Sequence, residues 1–230
     1  GFFTQEGHTR VDRCVFIDNH APTGNGGGLS NSGADVDVVA TTFSGNSASS
    51  GGSAIFTAYG GTMTVTNSTF SGNTTSYYGS AIRNFSATAL ALDYVTISGN
   101  STSSGNGALD TEQDATTTIR NSIVAGNTGG DCRITTPANV VDQGNNFFGD
   151  ASCGRAGTGS PALGALASNG GPTQTMKPAP NSPVIDAAAC DIDVPVDQRG
   201  IARPQGAGCD VGAVELTPLI LADGFEALPD

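Results

Sequence analysis

A four-residue motif, an apolar residue followed by two variable residues and an asparagine, recurs through the first half of the chain at one interval. The asparagines are Asn19, Asn46, Asn73, Asn100 and Asn127, and each number exceeds the one before it by 27. Two further apolar rows repeat with steps of 26 or 27: Leu29, Ile55, Ile82 and Leu109, and Val38, Val65, Leu92 and Ile119. Each unit therefore carries three short apolar segments, and Gly, Asn or Ser bound each segment.

A unit of this length cannot bury its own apolar face, whereas stacked copies bury one continuous core. Helical repeats of similar period need amphipathic segments of roughly ten residues or more, and these glycine-interrupted segments do not qualify. We therefore predict an all-β fold, a single-stranded right-handed parallel β-helix with three strands in each 27-residue coil. Phe16, Phe43 and Phe70 are expected to stack directly above one another, because parallel strands pair about 4.8 Å apart.

The asparagine column has two interpretations. An asparagine at each coil corner tolerates left-handed backbone geometry and can bond to the asparagine of the next coil, which builds a ladder. Asn67 and Asn73 also begin N-x-S/T sequences, the acceptor pattern for N-linked glycans. The ladder is favoured for the five corner asparagines.

The second half of the chain differs in composition. Ten of the eleven prolines follow residue 136, and the 27-residue step is lost there. We predict one solenoid domain over residues 1–216, with regular coils over about 14–130 and irregular Pro-rich coils and a cap over about 131–216. A solenoid needs such a cap, because its last strand edge is otherwise open. Residues 217–230 are predicted to be a tail, either a candidate sorting or anchoring segment or a packed terminal strand with a frayed end.

The charge balance excludes several classes of partner. The chain has 9 basic and 21 acidic residues, a net charge of −12. Such a surface repels nucleic acid and anionic lipid headgroups, and no cluster of Lys and Arg in the sequence offsets that repulsion. The sequence contains no run of 18 apolar residues, so it predicts no membrane-spanning helix. No phosphate-binding glycine motif opens a helix, so no cofactor is predicted.

The five cysteines predict disulfides rather than a metal or redox centre. Cys132 and Cys153 are about 20 residues apart, as are Cys190 and Cys209, and no CxxC pair occurs. Two local disulfides with Cys14 left over is the favoured arrangement, and it implies an oxidising compartment.

The motifs carry two resemblances. The FxxN and GGA[I/L] tetrapeptides resemble the repeats of the polymorphic membrane protein family of bacterial surface adhesins, over residues 14–130. The segments NSIVAGNTGGDC (121–132), LGALASNGGPTQTMKP (163–178) and DQRGIARPQGAGCDVGAVE (197–215) resemble the β-helical choice-of-anchor domain of secreted bacterial proteins. These resemblances imply a secreted, extracellular or cell-surface location and a β-helix that continues to about Glu215. They do not imply one catalytic activity.

An enzyme is the competing interpretation, because parallel β-helices also carry polysaccharide lyases and glycoside hydrolases. Glycosidase chemistry needs two carboxylates about 5 to 10 Å apart, one of which stays protonated. Arg83 and Asp110 occupy equivalent outward positions in successive coils, and Asp93 lies in a nearby segment. These three are the candidate catalytic residues, although an Arg–Asp pair at such positions is more often an exposed salt bridge.

A few exposed side chains are candidates for binding. Tyr59, Tyr77, Tyr78 and Phe85 fall in turns or at strand ends of adjacent coils, where they either contact sugars or proteins or cover the coil corners. Asp191, Asp193 and Asp197 are a weak candidate for a structural calcium site, since the EF-hand glycine and terminal glutamate are missing.

We therefore predict a non-enzymatic module for display, adhesion or assembly. Its expected partner is a glycan, a matrix or cell-surface protein, or another copy of the chain.

Overall fold

The structure is a computed structural model, and it describes residues 1–135 and 139–217. Twenty-two short strands wind into a parallel β-solenoid of five coils and a shortened sixth. No α-helix occurs within the described residues. Each coil adds one strand to each of three long sheets. The predicted all-β parallel solenoid is confirmed.

The first sheet contains β1 (Phe2–Thr4), β5 (Leu29–Ser32), β9 (Ile55–Ala58), β13 (Ile82–Phe85), β17 (Leu109–Glu112) and β20 (Cys132–Ile134). The second contains β2 (His8–Asp12), β6 (Asp35–Val39), β10 (Thr62–Thr66), β14 (Ala89–Asp93), β18 (Thr116–Arg120) and β21 (Val140–Asp142). The third contains β3 (Val15–Ile17), β7 (Thr42–Ser44), β11 (Thr69–Ser71), β15 (Thr96–Ile97), β19 (Ile123–Val124) and β22 (Phe147–Phe148).

A fourth, two-residue strand in each of the first four coils adds to the three predicted strands. These strands are β4 (His20–Ala21), β8 (Ser47–Ala48), β12 (Thr74–Thr75) and β16 (Ser101–Thr102). Each of these strands begins directly after a motif asparagine. Its backbone pairs with the equivalent short strand of the next coil.

The register reproduces the predicted step. Phe16 pairs with Phe43, Phe43 with Phe70, and Phe70 with Ile97, so successive partners are 27 residues apart. The three phenylalanine rings stack nearly parallel, with centroids 4.7 and 4.9 Å apart. The apolar rows fill the interior, and Leu29, Ile55 and Ile82 are fully buried. The core is therefore a set of columns that run along the solenoid axis.

One corner column uses left-handed backbone geometry in every coil. Between the second and third sheets, φ lies between 48° and 51° at Arg13, Ala40, Asn67, Tyr94 and Asn121, which are spaced 27 residues apart. Left-handed geometry costs a non-glycine residue about 1–2 kcal/mol. It lets the chain turn sharply between two strands, and the bonds to the adjacent coils offset the cost.

The motif asparagines form a continuous hydrogen-bonded column. The backbone N–H and side-chain amide of Asn46 donate to Oδ1 of Asn73 at 3.0 and 2.9 Å. Asn73 donates in the same way to Asn100 at 3.1 and 2.8 Å. Asn46, Asn73 and Asn100 are fully buried. The glycan-acceptor interpretation conflicts with this geometry, because Asn73 is inaccessible and the Asn67 amide donates to the carbonyl of Val196.

The coil stack ends at residues 132–148, and the chain then changes course. Residues 160–217, here called the C-terminal arm, contain only isolated antiparallel bridges, such as Ala167–Thr175 and Ala188–Cys209. The arm contacts the outer side of the third sheet: Thr69 Oγ1 donates to Gln198 Oε1 at 2.6 Å, and the Ala213 N–H donates to Thr96 Oγ1 at 3.0 Å. This differs from the predicted irregular coils, because the arm lies beside the stack rather than on its end.

A buried polar cluster stabilises the arm against the solenoid. The Tyr94 hydroxyl donates to the carbonyl of Ala189 at 3.2 Å, and the Arg203 guanidinium lies 4.0 Å from the centre of the Tyr94 ring. Arg203 also pairs with Glu215 at 2.8 Å, and both side chains are almost fully buried. Such a buried ion pair contributes little net stability, but loss of either partner leaves an uncompensated charge.

The two predicted disulfides are confirmed. Cys132–Cys153 closes the last coil, and Cys190–Cys209 joins two segments of the arm. Cys14 is exposed and lies outside both bonds. The last strand edge is covered locally, since Thr158 and Gly159 donate their N–H groups to the carbonyls of Phe148 and Gly149.

Two further findings bear on the domain predictions. The described residues include no helix long and apolar enough to cross a membrane. Residues 218–230 lie outside the described part of the chain. The predicted role of the tail and the domain boundary at 216 therefore stay predictions.

The asparagine column predicts a large effect for a central substitution. Asn73→Ala removes the acceptor of two Asn46 hydrogen bonds and the amide that donates to the carbonyl of Phe43. Buried polar groups without partners cost about 1–3 kcal/mol each, so we expect the unfolding free energy to fall by about 2–5 kcal/mol. Urea denaturation followed by circular dichroism measures this loss. The exposed Asn181→Ala is the control and should change stability by less than about 0.5 kcal/mol; equal effects of the two substitutions would contradict the ladder's importance.

Candidate functional site

Charged and aromatic side chains concentrate on the outer face of the first sheet. Alternation along the strands points Leu109 and Thr111 inward and Asp110 and Glu112 outward. Arg83 of β13 pairs in register with Asp110 of β17, and Asp110 pairs with Arg133 of β20. The stacking of coils therefore brings three charged residues into one column, with Glu112 in the adjacent column.

Two arginines and two carboxylates in this cluster neutralise one another. Arg83 Nη2 lies 2.5 Å from Glu112 Oε1, and Arg83 Nε lies 3.6 Å from Asp110 Oδ2. Arg133 Nη1 donates to Asp110 Oδ1 at 2.8 Å and to Glu112 Oε2 at 3.0 Å. We call Arg83, Asp110, Glu112 and Arg133 the ionic quartet. Its formal charge is zero, and each carboxylate contacts both guanidinium groups.

The four predicted aromatic residues meet around this quartet. The Arg83 guanidinium lies 4.8 Å from the centre of the Tyr78 ring and 4.9 Å from that of Phe85. Tyr59 packs edge-on against Phe85 with ring centroids 6.3 Å apart, and Tyr77 lies beside Tyr78 at 6.1 Å. We call Tyr59, Tyr77, Tyr78 and Phe85 the aromatic patch.

The patch combines a fixed base with an accessible surface. Tyr78 and Phe85 are partly buried, and Tyr78 also contacts Arg133, 4.4 Å from its ring centre. Tyr59 and Tyr77 are 64% and 56% exposed. Cation–π contacts of this kind contribute about 0.5–2 kcal/mol each. The quartet therefore holds two inner rings in place, and the two outer rings face solvent.

The pKa values of the two carboxyl groups of the quartet are shifted in opposite directions. Desolvation, together with the nearby negative charge of Glu112, raises the pKa of Asp110 to about 7. Burial alone would also raise the pKa of Glu112, but hydrogen bonds from Arg83 and Arg133 outweigh it and lower that pKa. Asp110 therefore changes protonation near neutral pH while Glu112 stays ionised.

The quartet has some properties of a catalytic pair but lacks access. A carboxyl group with a pKa near 7 beside an ionised carboxylate is the combination that general acid–base chemistry requires. The Asp110 side chain, however, has no solvent exposure, and those of Arg83 and Glu112 are about nine-tenths buried. Arg83 and Arg133 both contact the Asp110 carboxylate, and although its Oδ2 accepts no hydrogen bond, that atom is buried, so a substrate cannot reach Asp110 without movement of the surrounding side chains.

Asp93, the third catalytic candidate, belongs to a different site. It lies on β14 in the second sheet, where Arg120 Nη2 donates to its Oδ2 at 2.7 Å and the Asn121 amide donates to its Oδ1 at 3.1 Å. Burial raises the pKa of Asp93, against the opposing influence of Arg120. The structure therefore brings Arg83 and Asp110 together but does not bring Asp93 to them.

The three aspartates of the calcium hypothesis do not form a common site. Asp191 pairs with Arg120, and Asp197 pairs with Arg199 at 2.8 Å, while Asp193 is exposed. Asp197 also accepts the backbone N–H groups of Arg199 and Ile201. No group of three or more His, Cys, Asp or Glu side chains in residues 1–135 and 139–217 is arranged to hold a metal ion.

Two members of the quartet were not identified from the sequence. Glu112 follows Asp110 by two residues, so strand alternation alone places both on the same face. Arg133 gives no such signal, because the last coil is shorter and Asp110 pairs with a residue only 23 positions later. The 27-residue step points from Asp110 to residue 137, whereas Asp110 pairs with Arg133.

Comparison with known proteins gives one short match. Residues 40–58 match the repeat of the Chlamydia polymorphic membrane protein family. This segment runs from the corner before β7 to the end of β9, less than one coil. No curated protein and no solved structure matches the chain. The repeat supports the resemblance to surface adhesins, whereas the resemblance to the choice-of-anchor domain stays a prediction.

The raised pKa of Asp110 predicts how stability depends on pH. The unfolded-state pKa of Asp is about 3.9, so between pH 4 and 7 the folded state holds a proton that the unfolded state releases. The contribution of Asp110 to the free energy of unfolding is therefore complete below pH 4 and is lost as pH rises through 7. Asp110→Asn removes this titration, and the stability of the variant should decline less steeply over that range, by up to about 1.4 kcal/mol per pH unit.

Urea denaturation of both proteins at four pH values between 4.5 and 7.5 measures the two slopes. Asp114→Asn, at an exposed position two residues beyond Glu112, is the matched control and should keep the wild-type slope. Parallel curves for wild type and Asp110→Asn would show that Asp110 does not titrate in this range.

Proposed function

We propose that this chain is an extracellular or cell-surface β-solenoid module that binds a partner through the aromatic patch on its first sheet. The observation that carries the proposal is the pair of exposed tyrosines, Tyr59 and Tyr77, which pack against partly buried rings that contact paired charges. Exposed aromatic side chains that are fixed in place bind with little loss of conformational entropy.

The scaffold suits display. Stacked rings and the asparagine column make each coil repeat the geometry of the coil before it, so the outer face is stiff over its length. The match to an adhesin repeat and the two disulfides agree with a protein that works outside the reducing cytoplasm. The partner is a glycan, a matrix or cell-surface protein, or a second copy of the chain.

A polysaccharide lyase or glycoside hydrolase is the second candidate function. It is favoured by one observation, the raised pKa of Asp110 beside the ionised Glu112. The burial of Asp110 argues against it, because a general acid must reach the bond that it protonates. Binding is therefore the better supported function.

The aromatic patch predicts a selective loss of binding. The double variant Tyr59→Ala and Tyr77→Ala should lower affinity for the cognate glycan or cell-surface partner at least tenfold, since central aromatic contacts contribute about 2 kcal/mol or more. A glycan array and a cell-binding assay identify the partner, and biosensor titration then measures the loss. Ile192→Ala removes an even more exposed apolar side chain from the arm and should bind as wild type does.

A panel of polysaccharides with product detection separates the two functions. The binding proposal expects no turnover. Turnover that disappears in Asp110→Ala, with the circular dichroism spectrum unchanged, would replace binding with catalysis. Full binding by the double tyrosine variant would remove the aromatic patch from the interface.

A further inference from the structure

A groove lies where the first three coils meet the C-terminal arm. It has a volume of about 450 Å³, and one wall carries Arg10, Asp12 and Arg13, while the other carries Val196 and Arg199. A volume of this size falls within the range of about 300–1,000 Å³ that is usual for small-ligand sites. The groove involves none of the residues of the aromatic patch.

The charge of this groove is opposite to that of the protein. Arg10 and Arg13 are 55% and 65% exposed, and both contact the single carboxylate of Asp12 at 3.3–3.5 Å. These contacts are long, and exposed pairs of this kind are weak. Two guanidinium groups therefore share one carboxylate, and their remaining N–H groups are accessible.

The opposite wall adds no net charge. Arg199 binds the carboxylate of Asp197 through two nitrogens, at 2.8 and 2.9 Å, and both side chains are buried. The residues that line the groove thus carry a formal charge of +1 on a chain whose net charge is −12; Asp37, in register with Arg10 on the next strand, lies outside the lining and contacts His8 at 3.2 Å. Repulsion from distant acidic groups is screened beyond about 8–10 Å at physiological ionic strength. Local guanidinium groups therefore determine which ligand charge the groove accepts.

The groove also offers apolar surface beside these charges. Val196 is 40% exposed, and Pro172 and Val39 line the same space. Guanidinium groups bind carboxylates through paired hydrogen bonds, and aliphatic surface suits the face of a ring. A ligand that fits both the guanidinium groups and the apolar surface is one with a ring that carries a carboxylate.

We propose that this groove binds an acidic sugar unit, with its carboxylate on Arg10 and Arg13 and its ring against Val196. This goes beyond the proposed function, since a different sheet and the arm form the site. It also corrects the expectation that no cluster of basic residues offsets the acidic surface. In the sequence Arg10 and Arg13 are a pair too small to stand out as a basic cluster, and the residues of the arm that complete the groove begin at Pro172.

A matched pair of ligands tests the carboxylate. The full chain, labelled with ¹⁵N, is titrated with α-1,4-linked trigalacturonate and with the neutral α-1,4-linked galactotriose. We expect trigalacturonate to shift the backbone amide signals of Val39, Val196 and Gly200 and the Nε–H signals of Arg10 and Arg13. Galactotriose should bind at least tenfold more weakly. Equal shifts from both sugars would overturn the proposal.

Charge variants test the two arginines. The double variant Arg10→Gln and Arg13→Gln should lose at least tenfold in affinity for trigalacturonate. Arg155→Gln is the matched control, because Arg155 is similarly exposed and pairs with Asp142 near the last coil, and it should bind as wild type does. The variant Tyr59→Ala and Tyr77→Ala should also keep this affinity, so the outcome is independent of the aromatic patch. Unchanged binding by the double arginine variant would overturn the assignment.

Inorganic sulfate distinguishes a sugar site from a bare anion site. Sulfate at the same concentration should leave the Val196 signal unchanged, because it has no ring to contact that side chain. Sulfate that displaces trigalacturonate at equal concentration would overturn the sugar assignment.

Discussion

The asparagine column is the interaction on which the regularity of this molecule depends. Asn46, Asn73 and Asn100 each donate their backbone N–H and side-chain amide to the asparagine oxygen of the next coil, and the same amide also donates to the carbonyl of a residue 30 positions earlier. No other side chain of that size supplies both a donor and an acceptor with this reach. A one-residue change in coil length would place another side chain at the buried corner and leave several polar groups without partners. The 27-residue step is therefore a hydrogen-bonding requirement as much as a packing one.

The end of the column explains where the regular stack ends. Asn127 donates to Oδ1 of Asp131, only four residues further along the chain, at 3.2 and 2.9 Å. The Asp131 carboxyl group accepts both hydrogen bonds, and the Asp131 backbone N–H donates to Asp150 Oδ2 and Ser152 Oγ, so the asparagine-to-asparagine bonding ends at Asn127. The second oxygen of the Asp131 carboxyl group accepts the N–H of Asp150 at 2.9 Å, which fixes the turn that covers the last coil. The next coil is accordingly shorter, and Cys132–Cys153 closes it. Asp131 thus lies between the regular coils and the shortened end and contacts both.

The sequence was sufficient for the parts of the fold that repeat. The columns of Phe43 and Phe70 and the asparagine row follow from one interval, since identical side chains must stack when strands pair in parallel without offset. The arm follows no interval, so its position beside the third sheet depends on contacts such as Gln198 with Thr69, 129 residues apart. Nothing in local composition encodes such a contact. The prolines indicated only that the coils had ended.

The same division applies to the candidate sites. Alternation and the repeat placed Arg83 beside Asp110, and the structure adds that Tyr78 and Phe85 pack on the Arg83 guanidinium. Asp93 does not join Arg83 and Asp110, because it lies on the second sheet whereas they lie on the first. Residue spacing alone does not indicate which sheet a residue belongs to. Arg133 was missed because the shortened coil changes the register by four residues. Residue spacing therefore indicates which side chains meet within the regular coils, but not which meet across sheets or at the shortened end.

The physical separation of core and surface explains why the fold alone does not assign a function. Inward positions are constrained by the columns, whereas outward positions on each coil are free to differ, as Phe56, Arg83 and Asp110 do at one register position. Stacking places such differing residues about 4.8 Å apart in fixed order. Functional surfaces on this solenoid are thus composed across coils, one side chain from each. The aromatic patch arises in this way, whereas the basic groove needs the arm as a second wall. In both places the exposed side chains lie beside residues whose charges are already paired with one another. The exposed side chains are therefore available to a partner.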